Sequence, residues 1–334
     1  MRGKVALVYN EPLPGRYQAT GEEKAVLGVL ESVDAVRKAL IELNYDVILL
    51  PLVLPIEQAY DKLCKLSADL VFNLFEGFPG YPETELLIPQ YLESINIPYT
   101  GCSTAALQLG LDKARSKECL IQAGITTPAF QLLTPENLSS FKLEFPCIVK
   151  PFAEDASHGL TEDSVVRNTE SLSRQVTTVS LNYGGKALVE EFVEGREFNA
   201  TVLGKGELSV LPVGEITYNL PAGKPRVLTF EAKWEKGSEY YKKTPVVCPA
   251  KIDDVEKERI GKVALAAFKV VIGHGYARVD MRLDSQNRVN VIEVNPNPDI
   301  SPDTGAARQA KAAGMTYTQF IEKIVSLAGG KKIL

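Results

Sequence analysis

Two short stretches near the C-terminal end, ARVDMRLD (277–284) and RVNVIEVN (288–295), carry polar side chains at alternate positions of otherwise apolar runs. Side chains of a strand point alternately to its two faces, so Arg278 and Asp280 share a face, as do Glu293 and Asn295 on the second stretch. If Ser285-Gln286-Asn287 closes a hairpin, Asp280 and Glu293 become direct or diagonal neighbours. Two carboxylates and an amide at the end of a sheet form an all-oxygen site suited to Mg²⁺, which takes one or two carboxylates and fills its shell with water and nucleotide phosphate. The plainer alternative is an amphipathic hairpin whose polar face meets solvent.

Three lysines weigh against that alternative. Lys150 ends the apolar run CIVKP, Lys113 sits in GLDKARSK, and Lys233 lies in FEAKW within a long polar stretch. Taken singly they read as a strand terminus, an exposed helix position and a solvated loop. Taken together they point to a triphosphate, because an ammonium is a compact point charge suited to phosphate oxygens and the loop EDASHG (154–159) offers main-chain N–H groups to the same anion. The chain has no GxxxxGK[ST], so this is not a P-loop.

The elements that must position these groups follow from periodicity. KVALVYN, YDVILLPL and SADLVFNLFEG read as strands separated by the helical pattern EKAVLGVLESVDAVRKALIELN and a shorter helix, which is a doubly wound α/β arrangement. A hinge-like segment, TGCSTAALQLGLDKARSKECLIQAGITTP, leads into a second unit that begins near FPCIVKPF. Strands dominate from KALVEEFVEGREFNATVLG onward, interrupted by the Gly/Pro-containing stretch 217–243, which reads as a long surface loop. The expected division is 1–101, 102–188 and 189–334. A chain of 334 residues has ample room for such cores, and no apolar run approaches the roughly 18 residues of a membrane span. The N-terminal residues read as a first strand and not a signal peptide, so the expected compartment is the cytoplasm. The net charge of −5, with no basic block longer than Lys-Lys, argues against nucleic acid as a partner. Five dispersed cysteines without a CxxC pair read as small buried hydrophobes.

In order along the chain, TGCSTAALQLGLDKARSK, CIVKPFAEDASHG, ALVEEFVEGREFNATVLG, LPVGEI, FEAKW, GYARVDMRLD and VIEVNPNPD resemble the D-alanine–D-alanine ligase family of the ATP-grasp superfamily. The resemblance implies a three-domain α/β (α+β) fold with ATP between the second and third domains. It also implies Mg²⁺, with Mn²⁺ as a substitute, small-molecule carboxylate and amine substrates, and a homodimer. The implied reaction phosphorylates a carboxylate to an acyl phosphate, which an amine then converts to an amide. Carried over by position, Lys113 and Lys150 contact nucleotide phosphates and Lys233 approaches the transferred phosphate. Glu190 lies by the adenine and Glu197 on the ribose, in EEFVEGREF, though a charged helix-to-strand junction would also explain them. Asp280, Glu293 and Asn295 are the metal ligands, Arg278 stabilises an oxyanion or pairs across the strands with Glu293, and Ser157 and Gly159 belong to a loop closing over the phosphates.

The residues that hold substrate in the family are not kept. Its Glu, Ser and Tyr trio corresponds to Leu27 (with Glu31 the nearest carboxylate), Ala156 and Trp234, and its HGxxGEDG signature reads EGFPGYPETE. After the metal strand come Asp299 and Asp303, with Thr304 near the family's Ser. These aspartates favour an amine substrate with a further positive group, or are turn formers beside proline. The leading expectation is therefore a carboxylate–amine ligase of different specificity. The alternatives are a genuine D-alanine–D-alanine ligase of cell-wall synthesis and a nucleotide-binding protein without turnover.

Overall fold

In the computed structural model, which describes residues 2–11, 23–78, 81–152, 159–183, 185–235 and 237–329 but not the side chains of 23–28 and 234, the expected βα alternation opens the chain. Strands β1 (Lys4–Asn10), β2 (Asp46–Leu52) and β3 (Leu70–Leu74) form a parallel sheet in the order β2-β1-β3, joined through α1 (Glu23–Glu42) and α2 (Ile56–Cys64) and followed by α3 (Leu87–Ser94). The period of two in β1 sends Val5, Leu7 and Tyr9 into one core, with Val36 and Leu40 of α1. Ala6 and Val8 enter another, with Leu63 of α2 and Leu92 of α3.

The hinge-like segment is a pair of capped helices. Ser103 accepts from the Ala106 N–H to start α4 (Thr104–Leu111), and Asp112 accepts from the Arg115 N–H to start α5 (Lys113–Gln122). The second cap sets the register that matters, since it makes Lys113 the first residue of α5 and places Lys117 one turn on.

Strands β4 (Phe130–Leu133), β5 (Cys147–Pro151), β6 (Val165–Val166) and β7 (Ala187–Glu191) make an antiparallel sheet ordered β4-β7-β5-β6, with α6 (Thr169–Asn182) between β6 and β7. Cys147, Val149 and Val189 pack on Leu172 and Val176 of α6. Lys150 and Glu190 therefore share the other face, where they are diagonal neighbours across β5 and β7.

The third sheet carries β8 (Glu197–Lys205), β9 (Glu207–Val210) and β10 (Gly214–Ile216); after α7 (Phe230–Trp234) and α8 (Glu239–Lys243) come β11 (Val246–Val247), α9 (Asp254–Val271), β12 (Gly275–Leu283) and β13 (Val289–Pro296). Its order is β11-β10-β8-β12-β13, with β9 returning on β8. One face is apolar: Phe198, Ala200, Val279 and Met281 pack with Ile260, Ala264 and Phe268 of α9 and with Leu107 of α4. The opposite face bears Glu197, Asn199 and Thr201, then Arg282, Asp280 and Arg278 directly beside them on β12. The closing helices α10 (Gly305–Ala312) and α11 (Tyr317–Leu327) cover part of that face. Gln309 of α10 donates to the Asn199 carbonyl at 3.0 Å and accepts from the Thr201 N–H at 2.8 Å, while Phe320 and Ile324 of α11 pack with Leu203, Tyr276 and the α1 side of the first sheet.

Segment 217–243 is more ordered than its composition implies. Thr229 caps α7 and Ser238 caps α8, each helix being too short to show a periodic signal. Val227 is buried against Ile148 and Phe192, and the Phe230 N–H donates to the Leu160 carbonyl at 3.1 Å, so the segment lies across the open face of the second sheet. Of the cysteines, Cys102 and Cys147 are buried as expected, whereas Cys64 is exposed. Among the described residues no helix is long and apolar enough to cross a membrane.

Between β7 and β8 the main chain passes very close to β12. A Cβ built on Gly195 would lie 1.6 Å from the Leu283 carbonyl oxygen, next to the Leu283 N–H to Arg196 carbonyl bond of 3.0 Å. Gly195→Ala is expected to destabilise the protein by about 3 kcal/mol, since backbone on both sides must move. Denaturant unfolding at the parent's midpoint would show that the connection yields freely.

Candidate active site

The hairpin brings its polar residues together more directly than alternation alone requires. Arg278 lies opposite Asn295, and Asp280 opposite Glu293. The next pair is Met281 with Val291, so Ile292 has no partner and the strand bulges there. The bulge turns Val291 toward the apolar core beside Val294 while leaving Glu293 and Asn295 on the polar face. Strict alternation along 289–295 would have put Val291 among the carboxylates.

Every charged group in this face has a counter-charge. Arg278 grips Asp280 through two bonds of 2.7 and 2.8 Å, and Asn295 Nδ2 donates to the same carboxylate at 2.9 Å. The cross-strand interaction of Arg278 with Glu293 considered from sequence stands beside this pairing along its own strand, since the Arg278 charge helps lower the Glu293 carboxyl. Glu293 also takes Lys113 from α5 at 2.9 Å. Burial pushes the Glu293 carboxyl up, but the Lys113 and Lys150 ammoniums outweigh it and hold the group at about 2. For Asp280 burial outweighs Arg278, and its pKa is raised.

A second cluster lies on the facing sheet. Glu190, 1% exposed, forms ion pairs with Lys150 at 2.5 Å and with Lys117 at 2.6 Å, and Lys117 donates to Thr127 Oγ1 at 2.7 Å. Burial lowers the Lys117 pKa against the pull of Glu190. Lys113 is not the exposed helix lysine of the plainer reading, having 11% side-chain exposure. Lys233 in α7 is partly buried, and burial with the nearby Arg278 lowers it to about 8, while Asp280, Asp299 and Glu293 pull the other way. The three lysines and the acidic hairpin thus belong to one electrostatic neighbourhood.

Glu197 is held differently. Tyr218 Oη donates to it at 2.6 Å, and Arg282 reaches it with Nε at 2.9 Å and with Nη2. Sequence reasoning passed over Arg282, Lys117 and Tyr218. The signals for the first two were present: Arg282 continues the alternation of Arg278 and Asp280, and Lys117 follows Lys113 by four residues in a helix.

The turn after β13 is fastened by backbone packing. Asn297, with φ of 44°, accepts the Cys102 N–H on its side-chain oxygen at 2.8 Å, and a Cβ on Gly101 would lie 2.7 Å from that oxygen. Asp299 is exposed and accepts the Ser301 N–H at 2.8 Å; its charge acts on both Lys233 and Tyr317. Asp303 has φ of 68° and offers its carbonyl to Arg308 at 2.6 Å, which is turn chemistry. Thr304 bonds the Asp299 and Ser301 carbonyls at 3.0 and 2.7 Å and precedes α10. Gly159 has φ of 72° beside Pro151 and Tyr183. Ser157 and Ala156, and the side chains of Leu27 and Trp234, lie outside the described residues; Glu31 is exposed on α1.

Among the described residues no three His, Cys, Asp or Glu form a metal cage. The donor set still fits Mg²⁺ of the nucleotide-bound kind: two directly opposed carboxylates and a neighbouring amide, with the rest of the shell left to phosphate and water.

A sheet presenting this charged face to a second, lysine-bearing sheet is the ATP-grasp arrangement. The sequence model described as D-ala D-ala ligase C-terminus matches residues 120–326. The chain is 32% identical to the D-alanine–D-alanine ligase of Bacillus velezensis over 274 residues, covering 79% of this chain and 73% of that one. It is 35% identical to the uncharacterized protein y4sG of Sinorhizobium fredii over 269 residues, 80% of this chain and 76% of that protein. Among solved structures, D-alanine–D-alanine ligase from Bacillus anthracis complexed with ATP superposes with a TM-score of 0.71 at 21% identity, covering 97% and 96% of the two chains. VanG D-Ala:D-Ser ligase from Enterococcus faecalis gives 0.74 at 22% identity, covering 98% and 99%. The chain belongs to the D-alanine–D-alanine ligase family.

Proposed function

We propose that the chain is an ATP-dependent carboxylate–amine ligase working through an acyl phosphate, with an amine substrate other than D-alanine. The observation that carries the reading is the convergence of Lys113, Lys150 and Lys233 on the Arg278–Asp280–Glu293–Asn295 face. Asp280, Glu293 and Asn295 would hold Mg²⁺, which when bound offsets the charge of the nucleotide phosphates. The charges of the site pair among themselves, Lys113 with Glu293, Arg278 with Asp280 and Lys150 with Glu190. Phosphate frees this arrangement by exchange: Lys113 and Lys150 turn from carboxylates to phosphate oxygens. Lys233 follows the phosphoryl group as it passes to the substrate carboxylate. Arg278 then faces the oxyanion formed as the amine attacks the acyl phosphate, a task suited to a preorganised donor fixed by two bonds. The C–N bond forms as the C–O bond to phosphate breaks, the amine nitrogen loses its proton to solvent or to the departing phosphate, and amide and phosphate join the ADP left by the first transfer as products.

Asp299 points to the amine. Its carboxylate acts on Lys233, so a second positive group on the substrate would find a partner beside the reacting centre. A screen of amines and amino acids reading ATP-dependent phosphate release tests the proposal. The best substrate is expected to be cationic, and Asp299→Asn to lower its kcat/KM by about tenfold with little effect on a neutral analogue. D-alanine as best substrate at both positions would return the chain to dipeptide synthesis, and absence of turnover with every compound would leave nucleotide binding alone.

A further inference from the structure

Arg282 lies on the polar face of β12, two residues beyond Asp280, and has 5% of its surface exposed. Its guanidinium serves four acceptors on three different parts of the chain. Glu197 of β8 takes Nε at 2.9 Å and Nη2; the Val193 carbonyl, in the connection between β7 and β8, takes Nη1 at 2.7 Å. The Arg226 carbonyl and, at 3.2 Å, Tyr218 Oη receive Nη2. The guanidinium carbon also lies 5.1 Å from the Phe192 ring centre and 5.8 Å from that of Tyr218.

Two of these partners, Tyr218 and Arg226, belong to the segment that leads into α7 and Lys233. Another, Glu197, is the carboxylate read above as the ribose contact, and Val193 follows directly on the strand that carries Glu190. No other described side chain bonds both Glu197 and the 217–229 segment except Tyr218, which is itself part of that segment. A planar fork with five donors suits such a junction, whereas an ammonium on a flexible stem does not.

We propose that Arg282 is a positioning residue that couples nucleotide occupancy at Glu197 to the placement of the segment carrying Lys233. The inference rests on the ligase reading for the identity of the nucleotide. Tyr218 Oη and Arg282 both bond Glu197 Oε2, so a ribose hydroxyl that donates to this carboxylate fixes the group to which they are tied, and Arg282 passes the restraint on because it bonds Glu197, Tyr218 and the Arg226 carbonyl at once. The nucleotide thereby adjusts the approach of Lys233 without touching α7.

The test uses the full chain with Mg-ATP and reads hydrogen exchange over residues 217–229 alongside calorimetric ATP binding. In the parent, ATP is expected to slow exchange in this segment. In Arg282→Met, which keeps length and loses every donor, ATP still binds, but its protection of 217–229 falls by about tenfold, and kcat falls with it. Arg282→Lys, which keeps the charge, is not expected to restore the protection. If Arg282→Met fails to fold, Tyr218→Phe carries the same comparison, with ATP still bound and its protection of 217–229 reduced. Parent-like protection in Arg282→Met or Tyr218→Phe, or full rescue by lysine, overturns the coupling while leaving the ligase reading intact. A parent chain that does not bind ATP removes both.

Discussion

Asp280→Asn and Glu293→Gln are each expected to lower ATP-dependent phosphate release by about a thousandfold or more, while the protein remains folded. The magnitude follows from several kcal/mol of charge stabilisation supplied by a bound cation, each 1.36 kcal/mol being about tenfold in rate. Both substitutions keep side-chain volume and remove only charge, so the apolar packing on the other face of the sheet, from Phe198 through Met281, is untouched. The charge balance of the site does change. Glu293→Gln takes one counter-charge from Lys113 and Asp280→Asn one from Arg278, and these cations, with 11% and 24% side-chain exposure, can recruit water. Circular dichroism and a phosphate-release assay with the best substrate decide the matter. Turnover within tenfold of the parent in either variant would remove that residue from the metal site.

The second large effect is on stability. Glu190→Gln takes away the carboxylate shared by Lys117 and Lys150, whose side chains have 4% and 16% exposure. Breaking a buried ion pair by removing one partner commonly costs about 3–5 kcal/mol, because the remaining charge has no compensation. Here two ammoniums are left, so the upper part of that range is expected in denaturant unfolding. Adding Lys117→Met to Glu190→Gln should restore much of the loss, because the most deeply buried unpaired charge goes with it. Saturating Mg-ATP should also recover stability if phosphate takes over Lys150, since ligand that binds only the folded state stabilises it. A loss below about 1 kcal/mol for Glu190→Gln would mean that water already reaches the cluster.

Which parts of this site are legible in the residues themselves follows from the kind of order involved. The βα alternation, the hairpin closed by Ser285-Gln286-Asn287 and the adjacency of Asp280 and Glu293 all rest on local periodicity, which sequence carries. The bulge at Ile292 does not, because VNVIEV is compatible with unbroken alternation until β12 supplies the register. The grip of Arg278 on Asp280 was not legible for a related reason: a cross-strand neighbour and a same-face neighbour on its own strand are equally near, and only the rotamer sets the two bonds to Asp280. Lys117 escaped notice because a lysine near a helix start is usually solvated; only the meeting of its ammonium with Glu190, Thr127 and the Phe130 ring, all outside α5, buries it. The ordering of 217–243 depends on Val227 meeting Ile148 and Phe192, a contact with no trace in local composition.

The fastening of the turn after β13 bears on how this scaffold diversifies. Asn297, Gly101 and Gly275 secure the turn by close backbone contact, a Cβ on Gly275 falling 2.6 Å from the Gly101 carbonyl oxygen. None of the three is a residue assigned to recognise an amine, and Asp299, which is so assigned, is exposed and makes only a local bond to the Ser301 N–H. Mutation can therefore explore the exposed side chain at 299 without loosening the hairpin that bears Asp280 and Glu293, whereas Ile300 beside it is held in the core. On the proposed assignment, phosphoryl chemistry and amine selectivity are thus carried by separate residues, so that one amine could be exchanged for another without loss of the catalyst.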